Sequence, residues 1–124
     1  MGEPDKRRYA RVETCNLISY VCRDDDGCSL KQGMGRALDV SQNGLLLECG
    51  GAIETERISL MSADPEDRLI EIEGEVAYCR PGPNGNYRVG IAFSGSAEEN
   101  VRFAAGLIKT FHYRRRKTSG AQKT

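Results

Sequence analysis

Four cationic side chains crowd the start of this sequence, within the stretch DKRRYARV at residues 5–12. Two of them, Arg7 and Arg11, are four positions apart with an aromatic residue between them. A guanidinium group is a rigid fork of N–H donors that suits phosphate oxygens and the O6/N7 edge of guanine, and it also stacks on aromatic planes. The segment therefore predicts recognition of an anionic ligand, with the neighbouring Lys6 and Arg8 as auxiliary cations.

A second candidate segment, DVSQNG, carries polar groups that complement such a ligand. The carboxylate of Asp39 can accept hydrogen bonds from the N–H donors of guanine, and the hydroxyl of Ser41 can donate to a phosphate. Gly44 permits a positive φ and lets another group approach closely. Each segment alone has a simpler explanation, because a charged terminus is commonly a solvated tail and the Asp and Ser can serve their own turn. The combination of the two segments is more specific.

The hydrophobic pattern predicts about six strands that position these residues. The predicted strands cover residues 13–23, 35–40, 45–49, 55–63, 69–79 and 87–93. The turn SQNG separates the second strand from the third, so Asp39, Ser41 and Gly44 are expected at a hairpin. The fifth strand alternates apolar residues, Tyr78 included, with glutamates, and Gly74 interrupts its apolar face, which indicates a bulge there.

The periodicity changes to that of a helix after the sixth strand. Ser96 and Glu99 have the spacing of a capping box, in which each residue bonds the backbone N–H of the other. One stripe of apolar side chains follows at helical spacing, namely Val101, Ala104, Ile108 and Phe111. The helix is expected to end near His112, and the basic residues after it are favourable for the helix dipole.

Antiparallel strands at this spacing close into a barrel or pack as a sandwich, and a helix with one apolar stripe must cover an open mouth or edge. The predicted fold is all-β with a C-terminal helix as a lid. We expect a flexible basic arm at residues 1–12, the strands and the helix at residues 13–112, and a basic disordered tail at residues 113–124.

The composition excludes several classes of protein. The chain has 124 residues and no apolar run near the roughly 20 residues of a membrane-spanning helix. Its N-terminus lacks the apolar core of a secretory signal, so a cytoplasmic protein is predicted. Five cysteines without a C-x-x-C pair and a lone His112 predict neither a zinc site nor a disulfide framework. No catalytic residue and no cofactor are predicted, because the only row of carboxylates is an exposed strand face.

The spacing R-x-x-x-R at Arg7 and Arg11, followed by D-x-S-x-x-G at Asp39, Ser41 and Gly44, resembles the PilZ domain, the bacterial receptor module for cyclic di-GMP. The later stretches GEVAYCR and YRVGIAF are similar to the closing strands of that family. The resemblance covers residues 6–111, and it implies a six-stranded β-barrel with a C-terminal helix, in agreement with the prediction made from the pattern.

The resemblance also implies a binding module rather than an enzyme. In such a module the arm folds over a nucleotide on the barrel surface, where Arg7 and Arg11 hold guanine edges and phosphates. Asp39 and Ser41 contact the nucleotide from the barrel side, and Gly44 shapes the turn. Ordering of the arm then passes a signal to an unidentified partner protein.

Members of this family bind either one nucleotide or a stacked pair, and the residue before the first motif arginine is one place where the choice is made. Here that residue is Lys6, and Arg8 adds a further cation, which favours two molecules of cyclic di-GMP per chain. Two alternatives stay open. One is a PilZ-like adaptor that does not bind the nucleotide, and the other is a small β-barrel that binds nucleic acid, although its base-stacking aromatics are sparse.

Overall fold

The computed structural model describes residues 12–122, with side chains through residue 115. Six antiparallel strands form a closed barrel, and one helix follows them, which confirms the predicted fold class. The strands are β1 (Val12–Arg23), β2 (Ser29–Val40), β3 (Gly44–Cys49), β4 (Arg57–Ala63), β5 (Leu69–Pro81) and β6 (Tyr87–Phe93). Their order around the barrel is β1-β2-β3-β6-β5-β4, so β1 closes the barrel against β4.

The core fills the interior of the barrel because side chains alternate between the two faces of each strand. Along β1, for example, Ile18, Tyr20 and Cys22 are buried, whereas Leu17 and Ser19, on either side of Ile18, are exposed. Burial raises the pKa of Tyr20 to about 12, so its phenol is neutral in the core at physiological pH. Every strand contributes fully or nearly fully buried side chains, which makes the barrel one continuous apolar cluster.

The β2 strand is longer than predicted. It begins at Ser29 rather than at Gly35, and its first half pairs with β1 from Ile18 to Arg23. Residues 29–32 of this strand are exposed, so they lack the alternation of apolar and polar residues that marks a strand in a sequence. Backbone pairing with a neighbouring strand therefore holds this segment, and it leaves only a short turn at residues 24–28.

Two turns of the barrel have the same construction. At residues 24–28 and again at residues 64–68, the first aspartate accepts hydrogen bonds through Oδ1 from backbone N–H groups two and four positions later. The fourth position has a positive φ in both, 85° at Gly27 and 65° at Asp67. In the second turn, the backbone N–H groups of Arg68 and Glu66 hold the pKa of Asp64 below its usual value.

The bulge of β5 lies three residues from its predicted position. Gly74 stays in regular register, and the register instead shifts between Val76 and Tyr78. The extra residue, Ala77, turns the Tyr78 side chain to the outside, where it is exposed, and leaves Cys79 partly buried against the core. The prediction that Tyr78 shares the inner face is therefore wrong.

The helix α1 spans Ala97–Gln122 and begins with the predicted capping box. The backbone N–H of Glu99 donates to Ser96 Oγ at 3.1 Å, and the backbone N–H of Ser96 donates to Glu99 Oε1 at 2.9 Å. Two of the N–H groups that a helix start leaves unpaired are thereby satisfied. No helix in the part of the chain that the structure describes has the length and apolar character needed to cross a membrane.

The buried face of α1 differs from the predicted stripe. Ala104 is buried as expected, but Val101 is exposed, and the deepest side chains are Phe103 and Leu107. The ring of Phe103 packs edge-on against Phe93 of the barrel, with 5.5 Å between ring centroids. The predicted stripe and the observed face overlap at Ala104 because several apolar spacings fit one helix period, and packing against the barrel decides which of them is buried.

The helix also continues beyond its predicted end. It was expected to end near His112 with a disordered tail after it, but the backbone is helical as far as Gln122. Residues 114–117 are arginines and a lysine, which favour a helix, and no glycine or proline occurs until Gly120. The end of the apolar stripe is therefore a poor indicator of the helix end here.

Candidate functional site

The turn between β2 and β3 carries the D-x-S-x-x-G residues, and Ser41 closes it. The backbone N–H of Ser41 donates to the carbonyl oxygen of Gly44 at 2.8 Å. The Ser41 hydroxyl accepts a hydrogen bond from the backbone N–H of Asn43 at 3.3 Å and lies 3.4 Å from the same Gly44 carbonyl. Ser41 is also buried. This side chain thus has a structural role in its own turn, whatever else it binds.

Gly44 is required by close packing and not by an unusual φ. The positive-φ glycines among the described residues are Gly27 and Gly85, so the predicted positive φ at Gly44 is wrong. Gly44 is instead the first residue of β3 and pairs with Ala92 of β6. A Cβ at this position would lie 2.1 Å from the carbonyl oxygen of Ile91, so any side chain would push β6 away. The predicted close approach is real, but the approaching group is the neighbouring strand.

A bulge in β2 sets the direction of Asp39. Ala37 pairs with Leu47, and Asp39 pairs with Leu46, so Leu38 is the extra residue. In an unbroken strand Ala37 and Asp39 would face the same side, but here Ala37 and Val40 are both buried and Asp39 is partly exposed. The bulge therefore turns the Asp39 carboxylate to the outer surface of the barrel beside the turn that contains Ser41.

The start of β1 lies next to this turn. Val12 pairs with Val40, and Glu13 pairs with Asp39. Arg11 is bonded directly to Val12, so the chain that carries R-x-x-x-R leads into the barrel beside D-x-S-x-x-G. The remaining predicted site residues, Lys6, Arg7, Arg8 and Arg11, lie outside the described residues.

Strand pairing extends the surface around Asp39 into two parallel rows across β2, β3, β6 and β5. One row, which we call the tyrosine row, consists of Asp39, Leu46, Gly90 and Tyr78. The other, the arginine row, consists of Arg36, Glu48, Arg88 and Arg80. Both rows face outward, because the residues between them on β3 and β6 are buried in the core.

The arginine row is a positively charged surface with one shared carboxylate. Glu48 Oε1 lies 3.1 Å from Arg36 Nη2, and Glu48 Oε2 lies 3.8 Å from Arg88 Nη2. The Glu48 side chain is only 11% exposed, so the two guanidinium groups cover it. The buried Nε of Arg88 has no hydrogen-bond partner among the described residues. Three guanidinium groups against one carboxylate leave this row able to bind phosphate.

The tyrosine row offers a flat aromatic surface. The Tyr78 ring lies over Gly90, where a Cβ would come within 2.3 Å of a ring carbon. The guanidinium carbon of Arg80 lies 4.6 Å from the centroid of the same ring, which is a cation–π contact. A glycine opposite the tyrosine therefore lets the ring lie close to the barrel wall, and an aromatic plane and a cation adjoin each other there.

The sequence indicates for some of these residues, but not for others, that the side chain faces outward. In YRVGIAF, Val89, Ile91 and Phe93 alternate along the strand and so share one face, which leaves Arg88 and Gly90 on the other. Alternation could not predict that Tyr78 faces outward, or that Asp39 faces outward like Arg36 on the same strand. A bulge lies next to Tyr78 and another next to Asp39, and each bulge reverses the alternation.

Comparisons with known proteins agree with this architecture. The sequence model of the PilZ domain matches residues 5–108. The PilZ domain of YcgR from Escherichia coli, solved with c-di-GMP, has a TM-score of 0.62 at 13% identity over 93% of this chain and 98% of its own. The PilZ domain of CeSA from a cellulose-synthesizing bacterium gives 0.59 at 12% identity over 79% of this chain and 97% of its own.

A longer protein shares the fold as well. MotI/DgrA, the inhibitor of motility of Bacillus subtilis, gives a TM-score of 0.61 at 16% identity over 92% of this chain, which spans 53% of that protein. At these identities the likeness is one of fold. Comparison with curated protein sequences finds no match. With the family match over most of its length and this barrel, the chain belongs to the PilZ domain family.

Proposed function

We propose that this chain is a receptor for cyclic di-GMP and has no enzymatic activity of its own. The observation that carries the proposal is the register at the start of the barrel, where Val12 pairs with Val40 and Glu13 pairs with Asp39. Through this register, Val12, the residue that follows Arg11, lies beside the turn with D-x-S-x-x-G. The PilZ relative from YcgR was solved with c-di-GMP, which supports the same ligand for this chain.

The nucleotide is proposed to lie on the outer surface beside the β2–β3 turn. Asp39 accepts hydrogen bonds from guanine N–H groups, and Arg7 and Arg11 donate to guanine edges and phosphates. Arg88 and Arg36 of the arginine row supply further donors to phosphate, and the Tyr78 ring is a surface on which a base can stack. Lys6 and Arg8 are auxiliary cations.

The signal is proposed to leave the domain through the arm. Four cations within a few residues repel one another, and a ligand with two phosphates removes that repulsion when it binds between them. Binding then orders the arm against the barrel, and the altered surface is recognised by a partner protein. Residues 1–12 are in this view the switch, and the barrel is the rigid support.

Titration calorimetry with cyclic di-GMP tests this function. The parent is expected to bind, and Arg11→Ala is expected to lose ~1–3 kcal/mol of binding free energy, the range for one bidentate guanine contact. Arg102→Ala is the matched control, because Arg102 is an exposed arginine on the helix that pairs with the exposed Glu98 four residues earlier. Equal affinity of the parent and Arg11→Ala would contradict the assignment of the arm, and absence of binding by the parent would contradict the function itself.

A further inference from the structure

A groove lies on the side of the barrel where β1 and β4 separate. Residues 19–23 of β1 pair with residues 57–61 of β4, and β1 continues from residue 18 back to residue 12 without further backbone pairing to β4 in the described part of the chain. At the start of this stretch the Ser62 hydroxyl of β4 donates to the Leu17 carbonyl oxygen at 3.0 Å. The C-terminal half of α1 crosses this opening. The space enclosed between β1, β4 and the helix has a volume of about 850 Å³, which is large enough for several side chains of a bound molecule.

The floor and walls of the groove are apolar and accessible. Leu17 of β1, Met34 of β2 and Leu69 of β5 line it with exposed fractions of 63%, 60% and 68%. Met61 and Phe111 add two partly buried apolar side chains. A contiguous cluster of large apolar side chains on a small domain leaves apolar surface in water, and such clusters mark sites where another molecule binds.

One buried polar group at the groove has no partner. Asn16 is 7% exposed, and its Nδ2 donates to the carbonyl oxygen of Leu107 at 2.9 Å. This bond fixes the orientation of the amide, and Oδ1 then has no hydrogen-bond donor among the described residues. A buried acceptor without a donor costs free energy, but Oδ1 has almost no exposed surface, so Asn16 ties the helix to the wall of the groove and is not itself a contact for a ligand.

The charge of the groove further restricts the kind of ligand that fits it. Arg114 and Arg115 line it from the helix, and none of the described residues that line it is acidic. An apolar surface next to two guanidinium groups suits apolar side chains flanked by carboxylates. The arm of this chain at residues 1–12 does not fit, because it carries more cations than anions. A bilayer does not fit either, since a flat surface cannot enter a concave groove beneath a helix.

We propose that this groove binds a short extended segment of a partner protein that carries apolar side chains and carboxylates. The segment lies along the part of β1 that has no backbone pairing with β4. Its apolar side chains cover Leu17, Met34 and Leu69, and its carboxylates pair with Arg115. The groove shares none of Asp39, Ser41 and Gly44, so the inference stands independently of nucleotide binding.

Selection of a phage-displayed random peptide library on the parent protein tests the inference. The selected peptides are expected to combine apolar and acidic residues. A fluorescein-labelled selected peptide, measured by anisotropy, is expected to bind Met34→Glu at least about tenfold more weakly, because a charge replaces an apolar contact. The matched control is Leu30→Glu on the same strand, which is equally exposed at 60% but lies outside the groove and should change the affinity by less than about twofold.

Two charge-reversal variants on the helix complete the experiment. Arg115→Glu should lower the affinity for the same peptide, and the loss should be larger at low salt than at high salt. Lys109→Glu, on the helix but outside this groove, should leave the affinity unchanged. Peptides without acidic residues, or equal affinity of the parent and a folded Met34→Glu variant, would overturn the proposal. Self-association of the parent that Met34→Glu abolishes would also overturn it, because the occupant would then be a second copy of this chain.

Discussion

At the scale of single residues, Ser41 has a structural role in its turn and a proposed role in binding the ligand. Its hydroxyl is held inside its own turn, 3.3 Å from the Asn43 nitrogen and 3.4 Å from the Gly44 oxygen. A hydroxyl has one proton and two lone pairs, so it can still meet a ligand atom while it keeps one turn contact. The structural and the ligand-binding explanations of this serine are therefore compatible, and a substitution should reveal both.

Ser41→Ala is expected to lower the free energy of unfolding by about 1 kcal/mol, because it removes hydrogen bonds of a buried hydroxyl. It should in addition lower the affinity for cyclic di-GMP of the protein that remains folded. Chemical denaturation and calorimetry on the same preparation separate the two effects. Ser94→Ala, an exposed serine just after β6, is the control and should change neither quantity. A stability loss with unaltered affinity would restrict Ser41 to its turn.

The residues of the motif could be predicted from the sequence, but their surroundings could not. Asp39, Ser41 and Gly44 were singled out by type and spacing, and the structure places them at the hairpin that was predicted. The reason for Gly44 was predicted only in part, because the closeness of the Ile91 carbonyl depends on a strand almost fifty positions away in the chain. Long-range contacts of this kind leave no local pattern.

At the scale of elements, bulges and turns decide what the strands present. The bulge at Leu38 turns Asp39 outward, and the bulge at Ala77 does the same for Tyr78. The strands themselves were predicted from alternation, but alternation assumes an unbroken register and fails one residue after a bulge. The glycine at position 74 was a plausible marker for a bulge, yet it proved to be a site of close packing against Ile91 and Ala92.

The turn at residues 24–28 allows a test of its positive φ. A Cβ at Gly27 would meet no atom within 4 Å, so only the backbone conformation, with φ at 85°, disfavours a side chain. Gly27→Ala is expected to cost about 1–2 kcal/mol of stability, the penalty of a left-handed conformation. Gly50→Ala is the control, because Gly50 is equally open but does not have a positive φ. Urea denaturation of both variants measures the difference, and equal stabilities would refute the explanation.

At the scale of the whole molecule, the barrel and the helix cap were predictable, while the extent of the helix and its buried face were not. Six apolar strands with turn signals between them have few ways to bury one face each, so the pattern predicts a barrel or a sandwich, and the resemblance to the PilZ family implied the barrel. The buried face of α1 depends on the shape of the barrel mouth, where Leu107 and Phe103 fit, and no periodicity within the helix contains that shape.

The number of bound nucleotides is a property of the arm and the barrel together. Two molecules of cyclic di-GMP per chain are expected, because Lys6 and Arg8 offset phosphate charge that Arg7 and Arg11 leave unpaired. Calorimetry on Lys6→Leu should then give one nucleotide per chain where the parent gives two. If Lys6 only attracts the ligand electrostatically, the variant would change the association rate and its salt dependence and leave the stoichiometry unaltered. One nucleotide per chain in the parent would contradict the expectation directly.

The two rows of outward-facing residues cross β2, β3, β6 and β5, four strands that lie side by side only in the folded sheet. A ligand that spans these rows has no comparable site on an unfolded chain, so its binding free energy adds to the stability of the fold. At a concentration one hundred times its dissociation constant, such a ligand stabilises the native state by about 2.7 kcal/mol. Since proteases degrade the unfolded fraction, binding of the proposed ligand would also lengthen the lifetime of the protein that binds it.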